Sequence, residues 1–148
     1  MLSDRDVMLR LLVSVILSGL IGLERQMQRR TAGLRTHILV CLGSSLIMLT
    51  SLYVFDIYNE RAGLDPARIA AGVITGIGFL GAGAILRDQT EIKGLTTAAS
   101  LWVVAGIGLA VGCGFYLGAF FTTVLTLIVL LILRYAETTV IDKVSSKK

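Results

Sequence analysis

The residues of this chain that could do chemistry fall in two groups. Glu24 and Arg25, then Arg35, Thr36 and His37, flank a basic stretch; Arg87 and Asp88 follow glycines spaced G-x-G-x-x-G at Gly76, Gly78 and Gly81. Carboxylates beside guanidinium and imidazole groups can bind a cation or exchange a proton. His37, the single histidine, has an unperturbed pKa of about 6.5 and is suited to sensing pH. The glycine spacing could cradle a dinucleotide phosphate, but only after a strand, before a soluble helix, and with an acidic residue about 20 positions on. Here it lies inside IAAGVITGIGFLGAGAIL, polar only at Thr75 and long enough to span a bilayer. The nucleotide reading is therefore set aside.

The elements that position these groups follow from composition. A chain of 148 residues that is 55% hydrophobic and 16% charged cannot cover a soluble globule with polar surface. The expected fold is an all-α, polytopic membrane bundle. Apolar runs about 20 residues long give five transmembrane helices, at 7–23, 38–55, 69–86, 97–113 and 116–133. The first resembles a signal peptide, but no small-residue cleavage site follows it and ERQMQRR is strongly basic, so it reads as a retained helix. Residues 1–135 form one transmembrane domain and 136–148 a short basic tail. Cys41 and Cys113 lie in or at the ends of apolar runs and read as packing residues.

Basic residues set the orientation. Ten of the 14 Lys and Arg lie on the side holding segments 24–37 and 87–96 and the C-terminal tail; Arg5, Arg10, Arg61 and Arg68 lie on the other. The positive-inside rule then places the N-terminus outside and the C-terminus in the cytoplasm. Arg10, near the outer end of the first helix, is expected to reach toward the headgroups.

Shifting the sequence by 61 residues matches Gly22 to Gly83, Gln28 to Gln89, Gly33 to Gly94, Leu34 to Leu95 and Thr36 to Thr97. Helices 1 and 2 thus repeat as 3 and 4 in parallel orientation. In each copy a glycine precedes a helix opening with threonine, whose oxygen could cap free N–H groups. Side by side, two such N-termini could also form a mildly electropositive anion site.

Small residues predict packing, because they let membrane helices approach closely. Gly72, Gly76 and Gly83 share one face of the third helix, and Ala71, Gly78, Gly81 and Ala82 a second. That helix is expected to be the hub, matched by Gly106, Gly108 and Gly112 of the fourth and by Ser14, Ser18 and Gly22 of the first. The bulky fifth helix should face lipid, and Trp102 should pack against a neighbour. Glu24, Arg35 and Asp88 are expected to converge in a charged cytoplasmic vestibule; the alternative is that they are interfacial anchors.

GLERQ at 22–26, GLRTHILVCLGSSL at 33–46, RIAAGVITGIGFLGAGAIL at 68–86 and GLTTAASLWVVAGIGLAVGCGFY at 94–116 together resemble the MgtC/SapB family of bacterial membrane proteins. The resemblance covers most of residues 18–135. It implies an inner-membrane protein, N-terminus out and C-terminus in, linked to low magnesium, acid stress and, in pathogens, survival in the host. Members are often named as magnesium transport proteins, but the role it implies is regulatory, including restraint of the proton-translocating ATP synthase. It carries over Glu24, Arg25, Arg35, Thr36, Asp88, Thr96, Thr97 and Trp102 as functional candidates. Virulence-type members carry a soluble C-terminal domain; this chain ends about fifteen residues past the fifth helix and resembles the short SapB-like members.

The expected function is a non-enzymatic regulator of magnesium or proton homeostasis, and the alternative a small dimeric transporter or channel for an ion such as magnesium or a small solute. No nucleophile with a base, metal cluster or phosphorylation motif points to an enzyme, and no cofactor or nucleic-acid partner is expected. So small a bundle should form a homodimer through its small-residue faces.

Overall fold

The computed structural model describes residues 2–62, 65–87 and 92–133. Five α-helices follow in order: α1 Asp4–Met27, α2 Leu34–Ala62, α3 Pro66–Ala84, α4 Leu95–Cys113 and α5 Tyr116–Ile128, the last continued by a π-helical turn at Val129–Leu133. Between α3 and α4, strands β1 Leu86–Arg87 and β2 Ile92–Lys93 pair antiparallel. The all-α bundle is as expected. Helices α1 to α4 are long and apolar enough to cross a membrane, and the apolar stretch Tyr116–Ile132 is shorter. Asp88, Gln89 and the tail from Arg134 lie outside the described residues.

Local chemistry sets the helix ends. Ser3 and Asp6 form a reciprocal capping box at the start of α1, Asp6 N–H donating to Ser3 Oγ at 3.2 Å and Ser3 N–H to Asp6 Oδ2 at 3.3 Å. Asp65 accepts from Ala67 N–H at 2.9 Å, with Pro66 preset at the first helical position of α3. The threonine caps expected for α2 and α4 are not formed. Helices starting at Leu34 and Leu95 place Thr36 and Thr97 in the third helical position, too far in to cap. Instead Leu34 N–H donates to Gln26 Oε1 of α1 at 3.1 Å, while Gly94 caps α4 with φ +94 and no side-chain bond. A Cβ on Gly94 would stand 2.0 Å from the Ala84 carbonyl, so only glycine closes the turn here.

The hub is α4, not α3. Half of α4's apolar window is buried, against 11% for α3, and α4 packs on α1, α2, α3 and α5. Its closest approach is to α2: a Cβ on Gly108 would lie 2.3 Å from the Cys41 carbonyl, and one on Gly112 would lie 2.7 Å from Met48 Cβ and the Ser45 carbonyl. These pairs advance together along both helices, so α2 and α4 run parallel. Ser14, Ser18 and Gly22 form the buried face of α1 as expected.

A Cβ on Gly81 would meet Ala98 Cβ at 3.7 Å, but one on Gly72, Gly76, Gly78, Gly83 or Gly106 would meet nothing within 4 Å. Small residues permit close approach without compelling it, and in lipid no hydrophobic force closes a gap between apolar faces. The two halves of the repeat accordingly share helix starts 61 residues apart, at Leu34 and Leu95, but pack differently. A Cβ on Gly22 would stand 2.9 Å from Leu34 Cα, whereas its counterpart Gly83 is open.

Three further placements follow. Arg10 does not reach outward; its Nη1 donates to the Gly112 carbonyl at 2.7 Å, because the unsatisfied carbonyls ending α4 attract a cation. Trp102 is 53% exposed rather than packed, since the inward faces of α4 are filled by Leu101, Val104, Ala105 and Gly108. On α5, Phe120, Phe121, Leu125 and Ile128 are exposed while Ala119 and Thr123 are buried, as expected of a lipid-facing helix.

Candidate functional site

Where α1 ends and α2 and α4 begin, the bundle buries its ionisable groups. At this near end, α1 contributes Glu24 and Arg25, 8% and 2% exposed. Consecutive residues ordinarily diverge on a helix, but here the guanidinium turns back and binds the carboxylate with two donors, Nε to Oε2 and Nη2 to Oε1, the latter at 2.8 Å. Each charge is thereby removed from solvent together with its counter-ion, the condition on which a buried charge is tolerated.

His37, one turn into α2, is fully buried. Its Nδ1 lies 2.9 Å from the Gly33 carbonyl and its Nε2 3.0 Å from Ser100 Oγ on α4. Close passage of α1 makes this placement possible, since a Cβ on Gly22 would lie 3.0 Å from His37 Cβ. The Gly33 carbonyl can only accept, so Nδ1 carries a proton. Ser100 Oγ also donates to the Thr97 carbonyl at 2.8 Å. While that bond stands, Nε2 must donate as well, and the ring is an imidazolium. In the neutral ring, Ser100 must turn its hydroxyl from Thr97 to Nε2. Protonation of His37 is thus coupled to a hydroxyl on α4, and the charged side chains acting on the ring are Arg25 and Glu24.

Deeper in, the α1–α2–α4 seam is lined by small polar groups. Ser14 and Ser18 donate to carbonyls one turn back, at 2.9 and 2.6 Å, and both face the Cys41 thiol. The seam ends near Arg10 at the far end. Among the described residues no group of three or more His, Cys, Asp or Glu side chains is placed to hold a metal ion.

Of the residues expected to matter, the structure brings together Glu24, Arg25, His37 and Thr97, all buried at the near end. Arg35, Thr36 and Thr96 are exposed on the first turns of α2 and α4, and Trp102 faces outward. Asp88 lies outside the described residues, so its convergence with Glu24 is not described. Ser100 was not singled out from the sequence. The sequence alone carried no signal for it, because the need for a second partner follows only from the burial of His37.

The MgtC family model matches residues 11–139. The chain is 50% identical over 127 residues to YhiD of Escherichia coli K12, covering 84% of this chain and 59% of that protein. It is 43% identical over 128 residues to MgtC of Salmonella typhimurium LT2, covering 86% and 52%. With SapB of Bacillus subtilis it shares 41% over 129 residues, covering 84% and 55%. The chain therefore spans little more than half the length of these curated relatives. No solved structure gives a significant match.

Proposed function

The chain belongs to the MgtC family, and from that premise we propose that it is a non-enzymatic regulator of magnesium and proton balance under low magnesium and acid stress. It is a multi-pass membrane protein. In this reading it lies in a bacterial inner membrane, as a homodimer, with the N-terminus outside and the near end of the bundle in the cytoplasm. The ATP synthase is a candidate partner.

The observation that carries this reading is the buried Glu24–Arg25 pair of α1 acting on His37 of α2, whose ring is bonded to Gly33 just before its own helix and to Ser100 of α4. Such a cluster responds to protonation by shifting bonds between helices, which is what a sensor requires. The magnesium part leans on a relative: YhiD is provisionally named a magnesium transporter. That name, with the parallel repeat, favours transport as the second reading.

Purified protein in liposomes separates the two. The regulator reading expects no magnesium or proton flux above protein-free liposomes. It also expects a growth defect in cells lacking the protein at low magnesium and acid pH, rescued by the parent chain but not by His37→Ala. Flux abolished by Glu24→Gln would replace regulation with transport.

A further inference from the structure

The far end of the α1–α2–α4 seam holds two polar atoms whose bonding is incomplete. Ser45 is 0% exposed, and neither its Oγ nor Arg10 Nε, itself buried, has a hydrogen-bond partner among the described residues. Neighbouring hydroxyls donate to the carbonyl one turn back: Ser18 to Ser14 at 2.6 Å, Ser44 to Val40 at 2.8 Å and Thr123 to Ala119 at 2.8 Å. Ser45 does not. The Cys41 carbonyl it would use is the one against which Gly108 packs, where a Cβ would lie 2.3 Å away.

The two atoms belong to one place. His37, Cys41 and Ser45 follow at four-residue steps and share a face of α2; Ser18, Ser14 and Arg10 do the same on α1, running the opposite way. On that α2 face His37 lies beside Gly22, and the Cys41 thiol beside Ser18 and Ser14, so the next turn sets Ser45 level with Ser14 and Arg10. Helix α4 gives the same level independently. Arg10 Nη1 donates to the Gly112 carbonyl at 2.7 Å, and a Cβ on Gly112 would lie 2.7 Å from the Ser45 carbonyl. Ser45 and the guanidinium therefore flank the same glycine.

Nε–H can only donate, whereas the hydroxyl both donates and accepts. Leaving either unmet away from solvent is costly, and they are not bonded to each other. A small molecule that accepts from Nε–H and bonds to the hydroxyl satisfies both, and water does this in protein interiors. An anion is disfavoured, because Asp6, one turn earlier on α1, already interacts with the Arg10 charge. We propose that one internal water bridges Arg10 Nε and Ser45 Oγ, joining α1 to α2 beside the last turn of α4. It ties helices at the far end as the His37 ring does at the near end, and it requires neither the regulator reading nor a transport activity.

The test is a crystal structure of the full chain grown in a lipidic mesophase, at a resolution that shows ordered solvent, with bromide in place of chloride. We expect a single peak about 2.5–3.2 Å from both atoms, without anomalous signal. Ser45→Ala should lose the peak, because the variant leaves the water only Nε. Absence of a peak in the parent overturns the proposal, whether or not Nε and Oγ then bond directly. An anomalous bromide peak at the site also overturns it, since the ligand would be an anion, as does a peak unchanged in Ser45→Ala. The parent structure alone decides the first two outcomes, so they stand even if the variant fails to fold.

Discussion

Nε2 of His37 on α2 stands 3.0 Å from Ser100 Oγ on α4, while Nδ1 of the same ring lies 2.9 Å from the carbonyl of Gly33. One side chain thus ties the start of α2 to the hub helix. Ser100→Ala removes a single buried hydrogen bond and should cost about 1 kcal/mol. His37→Ala also leaves a cavity and an unpartnered hydroxyl, and should cost about 2–4 kcal/mol. Unfolding midpoints in detergent check the order; equal midpoints for parent and both variants would show that the clamp adds nothing.

Most of the architecture was legible because hydropathy and length suffice to count membrane helices. Glu24, Arg25 and His37 were legible because ionisable groups beside apolar runs are conspicuous. What escaped was depth and direction. Nothing in the sequence says that Arg25 turns back onto its neighbour Glu24, that His37 is fully buried, or that Arg10 reaches the end of α4. The hub was misassigned for a related reason: glycine content records how closely a helix can be approached, while the choice of partner depends on side chains of both helices. Ser45 and Met48 of α2 fit Gly112 of α4, and that match is invisible in α4 alone.

Breaking the Glu24–Arg25 pair should be far worse than removing it. Glu24→Gln leaves the guanidinium, 2% exposed, without its counter-ion, at a cost of about 3–5 kcal/mol. Glu24→Gln with Arg25→Met removes both charges and should recover much of that loss. A double-mutant cycle on thermal or denaturant unfolding measures the coupling; simple additivity would mean that the pair is not coupled in the folded protein.

The glycines of α4 and α3 should respond oppositely. Gly108→Ala places a methyl where a Cβ would be 2.3 Å from the Cys41 carbonyl, forcing α2 and α4 apart at about 1–3 kcal/mol. Gly72→Ala and Gly76→Ala meet nothing within 4 Å and should be neutral, or stabilising by up to about 1 kcal/mol through helix propensity. If the α3 substitutions leave stability unchanged but shift the chain from dimer to monomer in mild detergent, the open face is the contact between copies.

Arg10 donates to the Gly112 carbonyl at 2.7 Å, and a Cβ on Gly114 would stand 3.1 Å from its Nη2. It therefore holds the turn between α4 and α5 from across the bundle. Arg10→Gln should lower stability by about 1–2 kcal/mol and speed hydrogen exchange in the last turn of α4. Arg10→Lys should recover only part of either, because an ammonium lacks the planar fork. Exchange in the α4–α5 turn unchanged from the parent would refute this role.

The two thiols test fold and orientation in one experiment. Cys41 is fully buried, facing Ser14 and Ser18 in the α1–α2–α4 seam, whereas Cys113 is exposed at the far end of α4, its thiol 3.2 Å from the Ala110 carbonyl. A membrane-impermeant maleimide added to intact cells should label Cys113 if the far end faces outward, and Cys113→Ser should abolish the signal. Cys41 should react only after denaturation. Labelling of Cys113 that requires permeabilised cells would invert the proposed topology, moving the His37 cluster to the outer face. Labelling of Cys41 in the folded protein would mean that the seam between α1, α2 and α4 admits water, and would shift the balance toward a conducting bundle.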